Sequence, residues 1–162
     1  MRRSMTWLAV SLSLGFSLGF LGLLEANAAS PLESLVGYWQ GVGKIAMTSG
    51  KTERVKCAVS YRAGEANSVK QTLRCSSPDY TINALAEIKV NGAAVTGSWE
   101  ERTYSTTGEI TGRQAGHMLT LNIKGASFAA ALNVSTINCK QTINIAPQGT
   151  EVSRISIDLT KC

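Results

Sequence analysis

Apolar and polar residues alternate in short segments along most of this 162-residue chain, from about residue 37 onward. In the segment 54–62 the odd positions are apolar, and most even positions are charged or polar: Val55, Cys57, Val59 and Tyr61 occupy the odd positions. A period of two places the apolar side chains on one face of a β-strand. The pattern recurs in about nine or ten segments, so the chain is predicted to be all-β.

Short turns separate these segments, as at Asn91-Gly92, a pair that is typical of tight hairpins. Consecutive hairpins with one apolar face must cover that face. An up-and-down antiparallel β-barrel of about 8–10 strands covers it and leaves no free sheet edge. A two-sheet β-sandwich is the alternative fold. Outside the N-terminal apolar run, the only helical feature expected is a single turn within residues 30–36.

The first segment, "LVGYWQGVGKI" at residues 35–45, places Gly37, Trp39, Gly41 and Gly43 on one parity. Glycine permits a strand to bend and lets another backbone approach closely. A large apolar ring is suited to closing one end of a small barrel. We therefore predict that the glycines allow curvature and that Trp39 closes the barrel, or else contributes to a ligand site.

The N-terminus has the organisation of a secretion signal. Arg2 and Arg3 precede an uncharged apolar run of 18 residues, and small residues follow at 26–28. The chain is thus predicted to consist of a signal peptide, 1–28, and one domain, 29–162, with cleavage after Ala28 or after Ala29. A periplasmic or secreted protein without stable membrane insertion is expected.

All four cysteines lie in the predicted mature part: Cys57, Cys75, Cys139 and Cys162. An even number in an exported chain indicates disulfides, and three pairings are possible. In a hairpin, facing residues have a constant sum of positions. Cys57 and Cys75 centre their turn within residues 63–68, where turn residues occur, and both share the inward parity.

Cys139 and Cys162 centre a turn between Thr150 and Glu151, which is also consistent with a hairpin. The parity fits less well there, because Cys162 opposes that of the apolar residues of the last strand. A bulge near residues 153–154, or the free chain end, would absorb the shift. We predict the pairs Cys57–Cys75 and Cys139–Cys162.

The sequence contains no recognisable catalytic constellation. His117 is the one histidine, and no short Cys-x-x-Cys spacing suggests a metal site. Glu100 and Glu101 are adjacent, so they point to opposite faces of a strand and cannot act as a pair. Neither an enzyme activity nor a cofactor is predicted.

Five residues are candidates for ligand binding or barrel closure: Trp39, Trp99, Gln71, Tyr61 and Glu101. Gln71 has the inward parity of its strand, where it would orient a ligand or bond a neighbour. Glu101 shares the parity of Trp99, so it would point inward unless the strand has already ended at the barrel rim.

The charge pattern favours an acidic partner without establishing one. The net charge is +5, and it is +4 once Arg2, Arg3 and Glu25 are removed with the signal. Five cations share the outer parity of one hairpin: Arg54, Lys56, Arg62, Lys70 and Arg74. This set predicts either a surface for an anionic partner or a solvated face with Glu53 and Glu65 nearby. No basic run suggests nucleic-acid binding.

Gly37-x-Trp39 near the mature N-terminus, followed by a meander of strands, resembles the calycin-type barrels: lipocalins, avidins and bacterial periplasmic metalloprotease inhibitors. The longer string through Gly43 resembles the opening of nitrobindin-type haem barrels. The mature chain as a whole is similar to small exported β-barrel proteins of alphaproteobacteria whose function is unassigned. A nitrobindin-like site would need a histidine near the C-terminal end, and His117 is mid-chain. Avidin-like sites need more aromatic residues, so neither activity is expected.

The expected function is therefore non-catalytic: an exported barrel that binds a small apolar or amphipathic ligand in its mouth. Inward alanines at 84, 86 and 130 would leave room for such a ligand, or would let the walls close on each other. The alternative is a protein-binding module of the cell envelope, such as a protease inhibitor. It would use an exposed barrel end or the basic face.

Overall fold

The computed structural model describes residues 32–65 and 67–162, which form a closed antiparallel barrel of ten strands. The predicted signal peptide lies outside these residues. The strands are β1 (Gly37–Met47), β2 (Thr52–Ala63), β3 (Ser68–Ser76), β4 (Thr81–Asn91), β5 (Ala94–Glu101), β6 (Thr106–Ala115), β7 (Met118–Gly125), β8 (Ala129–Ile137), β9 (Lys140–Gln148) and β10 (Val152–Thr160). Each strand pairs with its neighbours in sequence, and β1 pairs with β10. The predicted up-and-down barrel is confirmed, and the sandwich alternative is wrong.

Apolar and polar residues that alternate in the sequence are buried and exposed in turn along the strands. On β1 the odd positions face the interior, where Trp39, Gly43 and Ile45 are buried, whereas the even positions face outward. A 3-10 turn, Glu33–Leu35, precedes β1 within the segment that was expected to hold a helical turn. Within the described ranges, no helix is long and apolar enough to cross a membrane.

Ring closure brings the first and last strands together, and Gly41 lies at this seam. Gly41 lies opposite Leu159 in the β1–β10 ladder. A Cβ atom at this position would collide with the backbone carbonyl oxygen of Asp158. The glycine is required because any side chain would push the two strands apart.

One end of the barrel, here called the closed end, is covered by the N-terminal turn and Trp39. The Trp39 side chain is completely buried, and its Nε1 donates a 2.7 Å hydrogen bond to the carbonyl oxygen of Leu35. Leu32 and Leu35 are buried beside it. The Lys161 ammonium lies 4.8 Å from the centre of the indole ring and donates to the Ser34 carbonyl oxygen at 2.9 Å.

Both predicted cysteine pairs are at disulfide distance. Cys57 and Cys75 face each other across the β2–β3 ladder with Cα atoms 4.1 Å apart. Cys139 and Cys162 have Cα atoms 5.5 Å apart. The β9–β10 ladder ends with Lys140 opposite Thr160, so the cysteines are one residue out of register, as the parity of Cys162 indicated. Cys162 follows β10 and reaches the β8–β9 turn beyond the end of the ladder.

Candidate ligand-binding cavity

The barrel encloses a cavity of about 450 Å³. It extends from Tyr61 and Gln71 towards the open end, which is the end opposite Trp39 and carries the turns 48–51, 77–80, 102–105, 126–128 and 149–151. Tyr80, Tyr104 and Phe128 from these turns line its outer part. This volume lies within the range of about 300–1,000 Å³ that is typical of small-molecule sites.

The cavity wall is predominantly apolar. The lining residues come from all ten strands. The apolar ones include Ile45, Leu73, Ile82, Ile110, Leu121, Ile143 and Ile157. The small residues Ala84 and Ala86 of β4 also line the cavity. Ala130 is buried but does not line it. The β4 alanines therefore leave interior space for a ligand and do not let the walls close on each other, which is one of the two interpretations that the sequence allowed.

A chain of neutral polar side chains forms the floor of the cavity. Gln71 Nε2 donates to the Tyr61 hydroxyl at 3.3 Å, and this hydroxyl donates to Gln141 Oε1 at 3.1 Å. Gln141 Nε2 then donates to Thr136 Oγ1 at 3.0 Å. Of these four residues, Gln71 and Tyr61 line the cavity, while Gln141 and Thr136 lie behind them. The chain satisfies polar groups that would otherwise be costly to bury.

The hydroxyl of Tyr61 stays protonated. Burial raises the pKa of this phenol well above its ordinary value, and the hydrogen bonds with Gln141 and Gln71 offset the effect only in part. A neutral phenol can accept one hydrogen bond and donate another, which is the arrangement seen here. The cavity floor is therefore polar but uncharged.

Trp99 and Phe128 form the aromatic part of the wall. Their ring centres are 5.8 Å apart and their planes meet at 71°, an edge-to-face arrangement. A Cβ atom at Gly108 would lie 2.7 Å from Trp99 Nε1, and one at Gly125 would lie 3.1 Å from Trp99 Cζ2. The indole thus rests on two glycines of neighbouring strands. Its buried Nε1 has no hydrogen-bond partner within the described residues.

Glu101 stands at the rim of the open end and organises the β5–β6 turn. Its Oε1 accepts from the backbone N–H of Asn83 and its Oε2 from that of Tyr104, each at 2.7 Å. Burial opposes ionisation of this carboxyl, but the hydrogen bonds from Asn83, Tyr104 and Thr103 outweigh it and lower its pKa. Glu101 lines the mouth, and both of its oxygens are engaged by the turn.

The structure thus brings four of the five candidates to one cavity: Tyr61, Gln71, Trp99 and Glu101. Trp39 does not line it and belongs to the closed end. Sequence reasoning missed Gln141, although this residue shares the inward parity of Ile143 and Ile145. It also did not name Tyr80 and Tyr104 of the rim as candidates. Tyr80 has the inward parity of Ile82, whereas Tyr104 lies in a turn that carries no periodic signal.

His117 lies exposed in the β6–β7 turn at the closed end and does not line the cavity. The lining residues therefore do not fit a histidine-ligated haem. Across the described ranges, no group of three or more His, Cys, Asp or Glu side chains is arranged to hold a metal ion.

The outer face of β2 and β3 carries the predicted cations, and all five are exposed: Arg54, Lys56, Arg62, Lys70 and Arg74. Arg62 and Lys70 face each other in the β2–β3 ladder. The two ion pairs found in the described residues, Lys51–Asp79 and Arg102–Glu100, involve none of the five. Glu53 has the inward parity of β2 and accepts a hydrogen bond from Ser77 at the open end, whereas the exposed Glu87 of β4 lies opposite Lys70 on the outer face.

No protein-family model matches the chain, and no curated protein sequence matches it. Solved structures do match. One is Rv2717c from M. tuberculosis, with a TM-score of 0.67 and 12% identity, covering 83% of this chain and 98% of that one. The fold is that of a calycin-like barrel. A second calycin-like neighbour is the S-type phycobiliprotein lyase CPES from Guillardia theta, with a TM-score of 0.57 and 12% identity, covering 81% of this chain and 90% of that one. At this identity the likeness concerns the fold alone.

Proposed function

We propose that this protein is an exported, non-catalytic barrel that binds one small apolar or amphipathic molecule in its interior. The observation that carries the proposal is the cavity of about 450 Å³, which is lined mainly by apolar side chains and opens at the end opposite Trp39. Barrels that are not filled by their own side chains commonly hold a ligand. The calycin-like fold of the structural neighbours supports this role.

Export is supported by two cysteine pairs at disulfide distance, because disulfides form and persist in oxidising compartments. It agrees with the predicted signal peptide. The non-catalytic part of the proposal is supported by Glu101. This carboxylate lines the mouth, but the backbone of the adjacent turn and of Asn83 occupies its oxygens.

Binding of a neutral fluorescent probe, N-phenyl-1-naphthylamine, tests the proposal. Ala86→Phe would place a ring in the cavity, and Ala146→Phe makes the same change on the exposed outer face of β9. We expect Ala86→Phe to weaken probe binding by about tenfold or more, equivalent to about 1.4 kcal/mol, and Ala146→Phe to leave it unchanged. Equal binding by all three proteins would show that the cavity is not the site.

Native mass spectrometry of the protein purified from its own host addresses the natural ligand. The proposal is supported if a lipid-like compound co-purifies with the wild-type protein and is absent from the Ala86→Phe protein. A wild-type protein that neither carries such a mass nor binds the probe would overturn it.

The basic face supports a second candidate function, the docking of an acidic envelope protein. Lys56 and Arg74 border an outer groove of about 530 Å³ together with Gln40 and Asn83. Unpaired cations on one face attract anionic partners in a salt-dependent way. Polyglutamate is a suitable probe: binding at low salt that is lost in the double variant Lys56→Glu/Arg74→Glu supports this function. Binding that is unaffected by charge reversal would contradict it.

A further inference from the structure

We infer that Gln71 recognises an uncharged group that both donates and accepts hydrogen bonds, so that the ligand is an apolar molecule with a terminal hydroxyl or primary amide. The inference rests on the proposed function and names the ligand class of the same cavity. Its basis is the incomplete hydrogen bonding of Gln71, which lines the cavity floor.

A glutamine amide has two N–H donors and a carbonyl oxygen that can accept two hydrogen bonds. One N–H of Gln71 is used by the Tyr61 hydroxyl at 3.3 Å. Within residues 32–65 and 67–162, the second N–H and the Oε1 of this side chain have no hydrogen-bond partner in the protein. One donor and one acceptor on the same amide are therefore free to meet a ligand.

The orientation of this amide is held by side chains that are more than nine-tenths buried. Tyr61 is 3% exposed, Gln141 1% and Thr136 5%. Tyr61 uses its hydroxyl proton on Gln141, so it can only accept from Gln71. The direction of these two hydrogen bonds places Nε2 of Gln71 next to the Tyr61 hydroxyl and leaves Oε1 of Gln71 available to a ligand. A preformed site of this kind discriminates between ligands because its unpaired groups are costly to leave unmatched.

The lining residues provide no counter-ion for an ionised ligand group at the cavity floor. Among the described lining residues, no lysine, arginine or histidine is present, and Glu101 is the one carboxylate. Glu101 lies at the mouth rather than beside Gln71. A carboxylate at the floor would be buried without a counter-ion, and an ammonium would be equally unpaired. A hydroxyl or primary amide has neither problem and matches both free groups of Gln71.

Competition against N-phenyl-1-naphthylamine with three ligands of equal chain length tests this inference. Decan-1-ol donates and accepts, 1-chlorodecane does neither effectively, and decanoate is charged. We expect wild-type protein to bind the alcohol about fivefold to tenfold more tightly than the chloride, and to bind decanoate more weakly than the alcohol by at least about tenfold. Decanoate binding as tightly as the alcohol would overturn the inference.

Gln71→Met keeps the length of the side chain and removes its hydrogen-bonding groups. Gln148→Met makes the same change on the exposed outer face of β9. We expect Gln71→Met to bind the probe and to lose the preference for the alcohol over the chloride, whereas Gln148→Met keeps it. A preference unchanged in Gln71→Met overturns the role of Gln71 while the proposed function stands. Failure of wild-type protein to bind the probe and all three compounds overturns both.

The three-ligand comparison on wild-type protein needs no variant, so it decides the ligand class even where Gln71→Met is unstable. Circular dichroism of each variant shows whether the barrel is folded under the binding conditions. A folded Gln71→Met protein that binds the chloride more tightly than wild type does would give direct support, because the variant no longer leaves an amide unpaired.

Discussion

The indole nitrogen of Trp39 donates a 2.7 Å hydrogen bond to the carbonyl oxygen of Leu35, four residues earlier in the chain. This contact ties the N-terminal 3-10 turn to the first strand across the closed end. Lys161, near the C-terminus, lies over the same ring and donates to backbone carbonyl oxygens of Ser34 and Val36. The turn that precedes β1 and the residue that follows β10 thus meet at Trp39, so this residue should contribute strongly to stability.

Replacing Trp39 with alanine is expected to lower the free energy of unfolding by about 3–5 kcal/mol, as truncation of a buried aromatic residue does. Urea denaturation of the mature protein measures the loss. Trp39→Phe keeps most of the packing and removes the hydrogen bond to Leu35, so its loss should be smaller. A loss below about 1 kcal/mol for Trp39→Ala would show that the ring does not close the barrel.

Gly41→Ala is expected to be more destabilising than Gly43→Ala. A Cβ atom at Gly41 would collide with the backbone carbonyl oxygen of Asp158, which can move only if β10 moves. A Cβ atom at Gly43 would lie 2.9 Å from Val55 Cγ2, a side-chain atom that can shift. Overpacking commonly costs about 1–3 kcal/mol, and we expect Gly41→Ala to reach or exceed the upper value. Thermal unfolding of the two variants compares them directly, and equal stabilities would argue against a tight β1–β10 seam.

Peptide mapping of the unreduced protein is expected to recover Cys57 linked to Cys75 and Cys139 linked to Cys162. The double variant Cys57→Ala/Cys75→Ala should lose about 3 kcal/mol of unfolding free energy, since the closed loop has a sequence separation of 18. Any peptide that links Cys57 to Cys139 or Cys162 would contradict the β2–β3 register.

Glu101 is expected to make the stability of the barrel depend on acid pH. Burial acts to raise its pKa in the folded protein, but the hydrogen bonds that it accepts from Asn83, Tyr104 and Thr103 together outweigh burial, so the pKa is lowered. A carboxyl with a lowered folded-state pKa stabilises the protein fully above the ordinary glutamate pKa of about 4.3. This contribution is lost as the pH falls through the lowered value.

Glu101→Gln removes the titration and keeps the size of the side chain. Between about pH 6 and pH 3 the wild-type protein should therefore lose more stability than the variant does. The midpoint of urea unfolding at each pH measures the difference. Parallel losses in the two proteins would show that Glu101 does not contribute to acid sensitivity. Glu100→Gln on the outer face is a matched control, because the Glu100 carboxylate is exposed and pairs with the exposed Arg102.

Much of the barrel could be predicted from the sequence, since strand periodicity and hairpin register are local properties. The alternation of β2 shows which side of the strand is buried, and the constant sum of facing positions places Cys57 opposite Cys75. The inward direction of Gln71 follows from the same parity. The same constant sum places Arg62 opposite Lys70 in this ladder.

The tertiary structure alone decided the closure of the ring and the site inside it. Gly41 lies opposite Leu159 in the β1–β10 ladder. The Tyr61 hydroxyl donates to Gln141, which is 80 positions later in the sequence. No local pattern in the sequence encodes such contacts. Whether Ala84 and Ala86 leave a cavity or let the walls collapse depends on the strand number and tilt of the whole barrel. A period of two determines the face of each side chain, whereas its distance from the opposite wall is a property of the closed sheet.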